Sequence, residues 1–191
     1  MNQPKSLKRR DEINAAAMEL FVEKGFQASI NDLVRKLGIA KGTFYHHFPE
    51  KEALIVDLYK TLMFEVEEKC VYPFRDCGPV EFQRKVLGEI VKWFITHPTK
   101  FYYIALFENS PYIKKTFGRI EETLENPRQI ISQKVNMGVF KPFPADMIAF
   151  FDFSFTRSAA YYFLSLPDPL AGFEKGFGSA FELYWTGVAK K

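Results

Sequence analysis

Ser29–Leu54, SINDLVRKLGIAKGTFYHHFPEKEAL, reads as two short helices joined by a tight turn, followed by the start of a third. Ser29 is placed to cap the first helix, because its hydroxyl can accept a backbone N–H that the opening turn leaves unpaired. Asp32 adds negative charge near the positive end of the helix dipole. Ile30, Leu33, Val34 and Leu37 fall at i, i+3, i+4 and i+7, one helical stripe. Gly38 ends the helix by accepting a left-handed backbone. A second short helix runs from about Lys41 to His46, and Lys51 opens a third after Pro49. Two helices around a short glycine-containing turn make a helix-turn-helix, whose second helix can enter a DNA major groove.

The residues of the second helix divide by role. Ile39, in the turn, reads as a core plug that sets the angle between the helices. Lys41 and Thr43 stand at the helix start, where the N-terminal residues of a recognition helix face base edges. Gly42 costs roughly 1 kcal/mol of helix stability relative to alanine. It also lets the backbone come close to DNA. Phe44 and Phe48, four apart, read as core. Tyr45 and His46 lie toward the DNA side, where a hydroxyl and an imidazole can donate to phosphate oxygens. His47 reads as a structural or surface residue. Lys51, beside the free N–H groups of a helix N-terminus, makes a natural phosphate site. The candidate DNA-binding residues are Ser29, Lys41, Gly42, Thr43, Tyr45, His46 and Lys51.

Within this stretch GIAKGTFYHHFPEKEAL resembles the hallmark segment of the TetR family of bacterial transcriptional repressors. The pieces that carry the resemblance are LVRKLGIAKGT, the YHHF that closes the recognition helix and the KEAL that opens the next one. It covers roughly Lys8 to Leu62. The resemblance implies that the first helix buttresses the two that follow and that Lys51 meets a phosphate. It also implies that the fourth helix carries movement of a ligand domain to the DNA-binding domain. Ala40 stands where family members often have Ser or Thr as N-cap. Alanine cannot cap, a deficit of about 1 kcal/mol.

Composition is compatible with this reading. The chain has 191 residues, 47% hydrophobic and 17% aromatic, with 21 Phe. A sizeable core is therefore available, and disorder as the main state is excluded. The formal net charge is +3, and residues 1–51 carry all of it, with nine Lys/Arg against six Asp/Glu. Residues 52–191 hold seventeen of each. An excess on the helix-turn-helix segment is what phosphate binding needs, although three charges can also fall there by chance. Cys70 and Cys77 are the only cysteines. Two cysteines without a signal peptide point to free thiols in a reducing cytosol. No run of about 18 apolar residues marks a membrane span. The expectation is a cytoplasmic protein with no membrane partner.

The expected fold is all-α with about nine helices. Residues 1–50 would form a helix-turn-helix DNA-binding domain, with its motif at about 29–48. Residues 51–191 would form a larger helical ligand-binding and dimerisation domain, joined through the helix at about 50–70. Residues 1–7 read as an arm, in which Lys5, and then Lys8, Arg9 and Arg10 at the helix start, either touch phosphates or stay in solvent. The first helix, about Lys8–Lys24, turns Ile13, Ala16, Ala17, Leu20 and Phe21 inward. Val71–Pro79, with two prolines and a glycine, is the boundary loop. Helices then follow at about Val80–Thr96, Thr99–Asn109, Tyr112–Met137, Ala145–Leu166 and Leu170–Lys190. The third of these is expected to kink or break at Pro127, with Asn126 capping the restart.

The last two helices are aromatic most of the way round, so they should be buried on more than one side. Small residues at Ser158–Ala160 would let another helix approach. The resemblance implies a homodimer through these two helices, packed as a four-helix bundle. A two-fold dimer presents two recognition helices about 34–36 Å apart and reads a pseudo-palindrome. The resemblance also implies a cavity for a small-molecule effector. Its candidate lining is Trp93, Phe94, His97, Phe101, Tyr102, Phe107, Phe117, Phe151, Phe155 and Arg157. Aromatic stripes at helical spacing equally suit a plain core. The shortage of charge in these helices points to an apolar or aromatic ligand. Arg157 would meet a ligand carboxylate or pair with an acid such as Asp152.

Double-stranded DNA is thus the expected partner and regulation the expected function, with repression implied by the resemblance. Catalysis is not expected. The chain has no HExxH, GxSxG, P-loop or GxGxxG-after-strand motif, and His46, His47 and His97 lack the company of metal-ligand spacings. No cofactor or metal is called for. The alternative is a helical small-molecule-binding or interaction protein without specific DNA binding, which leaves Ser29–Leu54 unexplained.

Overall fold

The computed structural model describes residues 5–113 and 137–190. Its helices are α1 (Lys5–Lys24), α2 (Ile30–Leu37), α3 (Lys41–His47), α4 (Lys51–Val66), α5 (Pro79–Thr96), α6 (Pro98–Glu108), α7 (Ala145–Leu164) and α8 (Pro169–Val188). Among the described residues the only β pairing is an isolated bridge between Phe140 and Ala189. The fold is therefore all-α, as expected. The helix expected at about Tyr112–Met137, with its break at Pro127 and the cap at Asn126, lies outside the described residues, as does Phe117.

Several helix limits differ from the sequence reading for local reasons. α1 begins at Lys5, not Lys8, because KSLKRR consists mostly of good helix formers. α4 ends at Val66, and the chain continues as a π turn over Glu67–Val71 and a 3-10 turn over Tyr72–Phe74. Pro73 has no N–H to offer the carbonyl four residues back, so a regular helix cannot run through this point. Elsewhere α7 and α8 stop two residues short of the expected ends.

The chain divides into two compact units, Met1–Met63 with Thr99–Phe117, and Phe64–Pro98 with Gly118–Lys191. In the first unit, α1 packs on α2 and α2 on α3. The five apolar residues expected on the inner face of α1 are all buried. Leu54, Leu58 and Leu62 continue this core along α4. α6 belongs to this unit. The Tyr103 hydroxyl donates to the Ile55 carbonyl at 2.8 Å, and Phe107 stacks on Tyr59 at 4.0 Å. Phe26, between α1 and α2, sets its ring edge-on to Tyr103, Phe107 and Tyr112.

In the second unit α5, α7 and α8 pack pairwise. Phe173, Phe177, Phe181 and Trp185 form a ladder of rings along α8, with neighbours 5.0–6.2 Å apart. Gly88 makes room for this ladder, since a Cβ there would lie 3.0 Å from the Phe177 ring. One polar group crosses the apolar core. The Tyr184 hydroxyl donates to Asp152 and accepts from the Gln83 amide at 3.1 Å, so α8, α7 and α5 meet at one oxygen. At the end of α8, Lys141 donates to the carbonyls of Thr186 and Gly187, which no helical N–H reaches.

Candidate nucleic-acid interface

α2 is fixed at both ends by its own sequence. The Ser29 hydroxyl accepts from the Asp32 N–H at 3.1 Å, and the Asp32 carboxylate accepts from the Ser29 N–H at 3.3 Å. This is a capping box, with Asp in the place more often taken by Glu. Sequence reading assigned Asp32 only to the dipole; its distance of three residues from Ser29 was the signal for the reciprocal bond. The Ser29 and Arg35 interactions together hold the Asp32 carboxyl below its ordinary range. Gly38 closes the helix at φ +63, and its N–H and that of Ile39 return to the carbonyls of Arg35 and Val34.

α3 is held differently. Ala40 gives no side-chain cap, as expected. With seven residues, the helix is too short to be stable by itself. Its inner face is Phe44, fully buried, while Phe48 forms the C-cap and is 2% exposed. The two rings lie 5.8 Å apart. The opposite face presents Lys41, Gly42, Tyr45 and His46, all exposed, with Thr43 half-buried at its margin. Sequence alternation thus translates into one apolar and one polar face.

Several cations of this unit already have partners within the protein. Lys51 is half-buried, and its ammonium donates to the carbonyls of Phe26 at 2.8 Å and Ala28 at 3.4 Å. It therefore clips the α1–α2 connection to the start of α4. Lys36 pairs with Glu19 on α1 at 2.8 Å. Arg10, read from the sequence as a solvated or phosphate-facing cation, is turned inward instead: it bonds Asp57 at 2.8 Å and lies over the Phe48 ring.

The described candidate ligand-lining residues divide between the two units. Phe101, Tyr102 and Phe107 lie in the unit that holds the helix-turn-helix. Trp93, Phe94, His97, Phe151, Phe155 and Arg157 lie in the other. Phe101 and Phe107 are fully buried, while Tyr102 and Phe151 are exposed. His97 stacks on Trp93, and its Nδ1 lies 2.9 Å from the Trp93 carbonyl, which makes it a helix-end residue. Phe155 packs on Phe177 and Tyr184. Arg157 lies over Phe153, 4.5 Å from the ring centroid. Sequence reading missed the Gln83–Tyr184–Asp152 group, because no local pattern links residues so far apart.

Known proteins share this arrangement. A family model for bacterial regulatory proteins of the tetR family matches residues 13–58. An uncharacterised helix-turn-helix-type transcriptional regulator of Bacillus subtilis (strain 168), YhgD, is 28% identical over 153 residues, 76% of this chain and 78% of that protein. Over residues 13–58 the chain is similar to the TetR family of bacterial regulatory proteins. A TetR family transcription regulator from Marinobacter aquaeolei VT8 has the same fold, with a TM-score of 0.79 at 20% identity over 95% of this chain and 96% of that one. AibR, solved in complex with isovaleryl coenzyme A and operator DNA, also shares the fold, with a TM-score of 0.69 at 17% identity, covering 90% of this chain and 97% of that one. The match at residues 13–58 takes in most of α1, all of α2 and α3 and the first half of α4. Among the described residues no helix is long and apolar enough to cross a membrane.

Proposed function

We propose that this regulator is a cytoplasmic repressor that binds a pseudo-palindromic operator as a homodimer and is released by a small apolar or aromatic effector. Residues 1–50 serve as the DNA-binding domain and residues 51–191 as the ligand-binding and dimerisation domain, linked by α4. The single observation that carries the reading is the two-faced recognition helix. Phe44 is buried while Lys41, Gly42, Tyr45 and His46 face solvent. Lys41 and Thr43 read base edges, Gly42 lets the backbone approach, and Tyr45 and His46 donate to phosphates. Lys51 leaves its carbonyls for a phosphate when DNA is bound.

The dimer reading is supported by large apolar side chains left uncovered on the last two helices. Phe150, Tyr162 and Leu183 are 66%, 60% and 83% exposed. Large apolar side chains left uncovered in this way suit an association surface. The effector reading is supported by the many aromatic residues of the second unit, and AibR, similar in fold, was solved in complex with isovaleryl coenzyme A and operator DNA. An effector shifts the DNA-binding equilibrium only by its differential affinity for two states.

Band-shift titration over a salt series tests the interface. Affinity should fall steeply with salt, and Lys51→Ala should lower the slope by about one unit. An unchanged slope, with reduced thermal stability, leaves Lys51 as a clip on the α1–α2 connection alone. Thr43→Ala should alter base preference; equal weakening on every sequence removes it from the base-reading set. Leu183→Lys should convert a dimer to a monomer in sedimentation, and a variant that stays dimeric excludes this face.

A further inference from the structure

Three features of the first unit converge on one side chain. α3 has no side-chain cap at its N-terminus and only seven residues, so its direction rests on what its core face and its C-terminal end pack against. That end is Phe48, whose N–H closes on the Phe44 carbonyl at 3.0 Å. The Arg10 guanidinium lies over the Phe48 ring, 4.7 Å from its centroid. The same guanidinium donates from Nη2 to Asp57 Oδ1 at 2.8 Å. Arg10 stands on α1, Phe48 closes α3 and Asp57 stands on α4. One planar cation therefore ties three helices at the base of the recognition helix.

We propose that Arg10 is a positioning residue for operator recognition, which aims α3 by clamping Phe48 against α1 while Asp57 holds the guanidinium flat over the ring. The proposal rests on the operator-binding reading above. The chemistry suits arginine and not lysine. A guanidinium can stack on an aromatic face and fork a hydrogen bond to a carboxylate at once, whereas an ammonium is a compact, strongly hydrated point charge. Both side chains are about one-third exposed (38% and 35%), so the pair is partly shielded from solvent while its edge remains wet. A recognition helix that tilts keeps its phosphate contacts approximately and loses its base contacts, because base contacts carry the specificity.

The test compares full-length wild type, Arg10→Met, Arg10→Lys and Asp57→Ala on two duplexes of equal length. One is the operator enriched by the wild type from a random pool, the other a scrambled sequence. The expected result is that Arg10→Met and Asp57→Ala both lower the operator-to-scrambled affinity ratio roughly tenfold, the cost of about one lost base contact. Both should keep the wild-type salt slope, with Arg10→Lys in between. Phosphate contact predicts the opposite pattern. Arg10→Met would then lower the slope by about one unit, and Asp57→Ala, which removes a negative charge, would tighten both duplexes. That pattern overturns the proposal, as does a ratio unchanged in both variants.

If the wild type enriches no operator, the functional reading has failed, and amide exchange of the free protein still decides the positioning role. Arg10→Met should speed exchange over Phe44–Phe48 while leaving Leu33–Leu37 of α2 unchanged. Equal exchange in wild type and variant overturns it.

Discussion

Gly42→Ala separates stability from recognition at one methyl group. Gly42 is the second residue of α3, and its backbone φ lies in the ordinary range. A Cβ built there meets nothing within 4 Å. In the free protein the substitution therefore carries no steric cost. It should stabilise α3 by about 0.5–1 kcal/mol, the helix preference of alanine over glycine. For a chain of this length that corresponds to a rise in Tm of roughly 1–4 °C. On DNA the sign reverses. The methyl group projects from the exposed face of α3, between Lys41 and Thr43, where the backbone must come close to the duplex. Operator affinity should fall about tenfold or more, a loss of about 1.4 kcal/mol or greater. Thermal unfolding followed by circular dichroism reads the first effect and a band shift on the enriched operator reads the second. A variant that is more stable and binds as well as wild type refutes the close approach of the Gly42 backbone. A lower Tm refutes the open space around it.

Other outcomes follow from the same packing. Ser29→Ala removes the cap of α2 and should cost about 1 kcal/mol in denaturant unfolding. Asp32 is held below its ordinary value of 3.8, chiefly by the Ser29 hydroxyl and backbone N–H, then by Arg35 and Lys24. Its folded value lies below its unfolded one, so its stabilising effect is complete above pH 3.8 and disappears as pH falls through the lower, folded value. Amide protection of α2 should show that acid step in the wild type, and Asp32→Asn should abolish it. Cys70 is buried, and burial, with Glu89 and Glu65 nearby, pushes its thiol up to about 12. A thiol reagent at pH 8 should label half-buried Cys77 first and Cys70 only on unfolding. Gly88→Ala should destabilise by about 1 kcal/mol net, because Phe177 is wedged between Phe173, Phe181 and Phe155 and cannot yield. Gly172→Ala should be neutral or stabilising, because its Cβ meets only the far end of Leu166, which can rotate away.

What the sequence disclosed depended on how local the cause was. Ser29, Gly38 and the buried stripe of α1 were legible because caps, left-handed glycines and 3.6-residue spacing act within one or two turns. The inner and outer faces of α3 were legible for the same reason. The end of α4 was not, because a boundary marked by Pro73 and Gly78 does not tell where a regular helix widens into a π turn. Lys51 and Arg10 show the larger gap. Both read as solvent- or phosphate-facing cations, yet their partners are carbonyls more than twenty residues back in one case and a carboxylate and a ring from two other helices in the second. Composition counts a positive charge without telling whether the fold has already used it. The aromatic half suffers similarly. Helical spacing marks Phe107 and Phe155 as apolar-face residues, but only the fold shows that each is packed against a neighbouring ring. The Gln83–Tyr184 bond spans 101 residues and leaves no local trace in either helix.

Selection of duplexes from a random pool by the purified full-length protein tests the central claim most directly. The account predicts enrichment of one pseudo-palindrome, with half-site centres about 10–10.5 base pairs or a multiple apart. Thr43→Ala should enrich a different base within each half-site. A pool that stays random after repeated rounds, with protein that is folded and dimeric, contradicts the assignment of α3 as a base-reading helix.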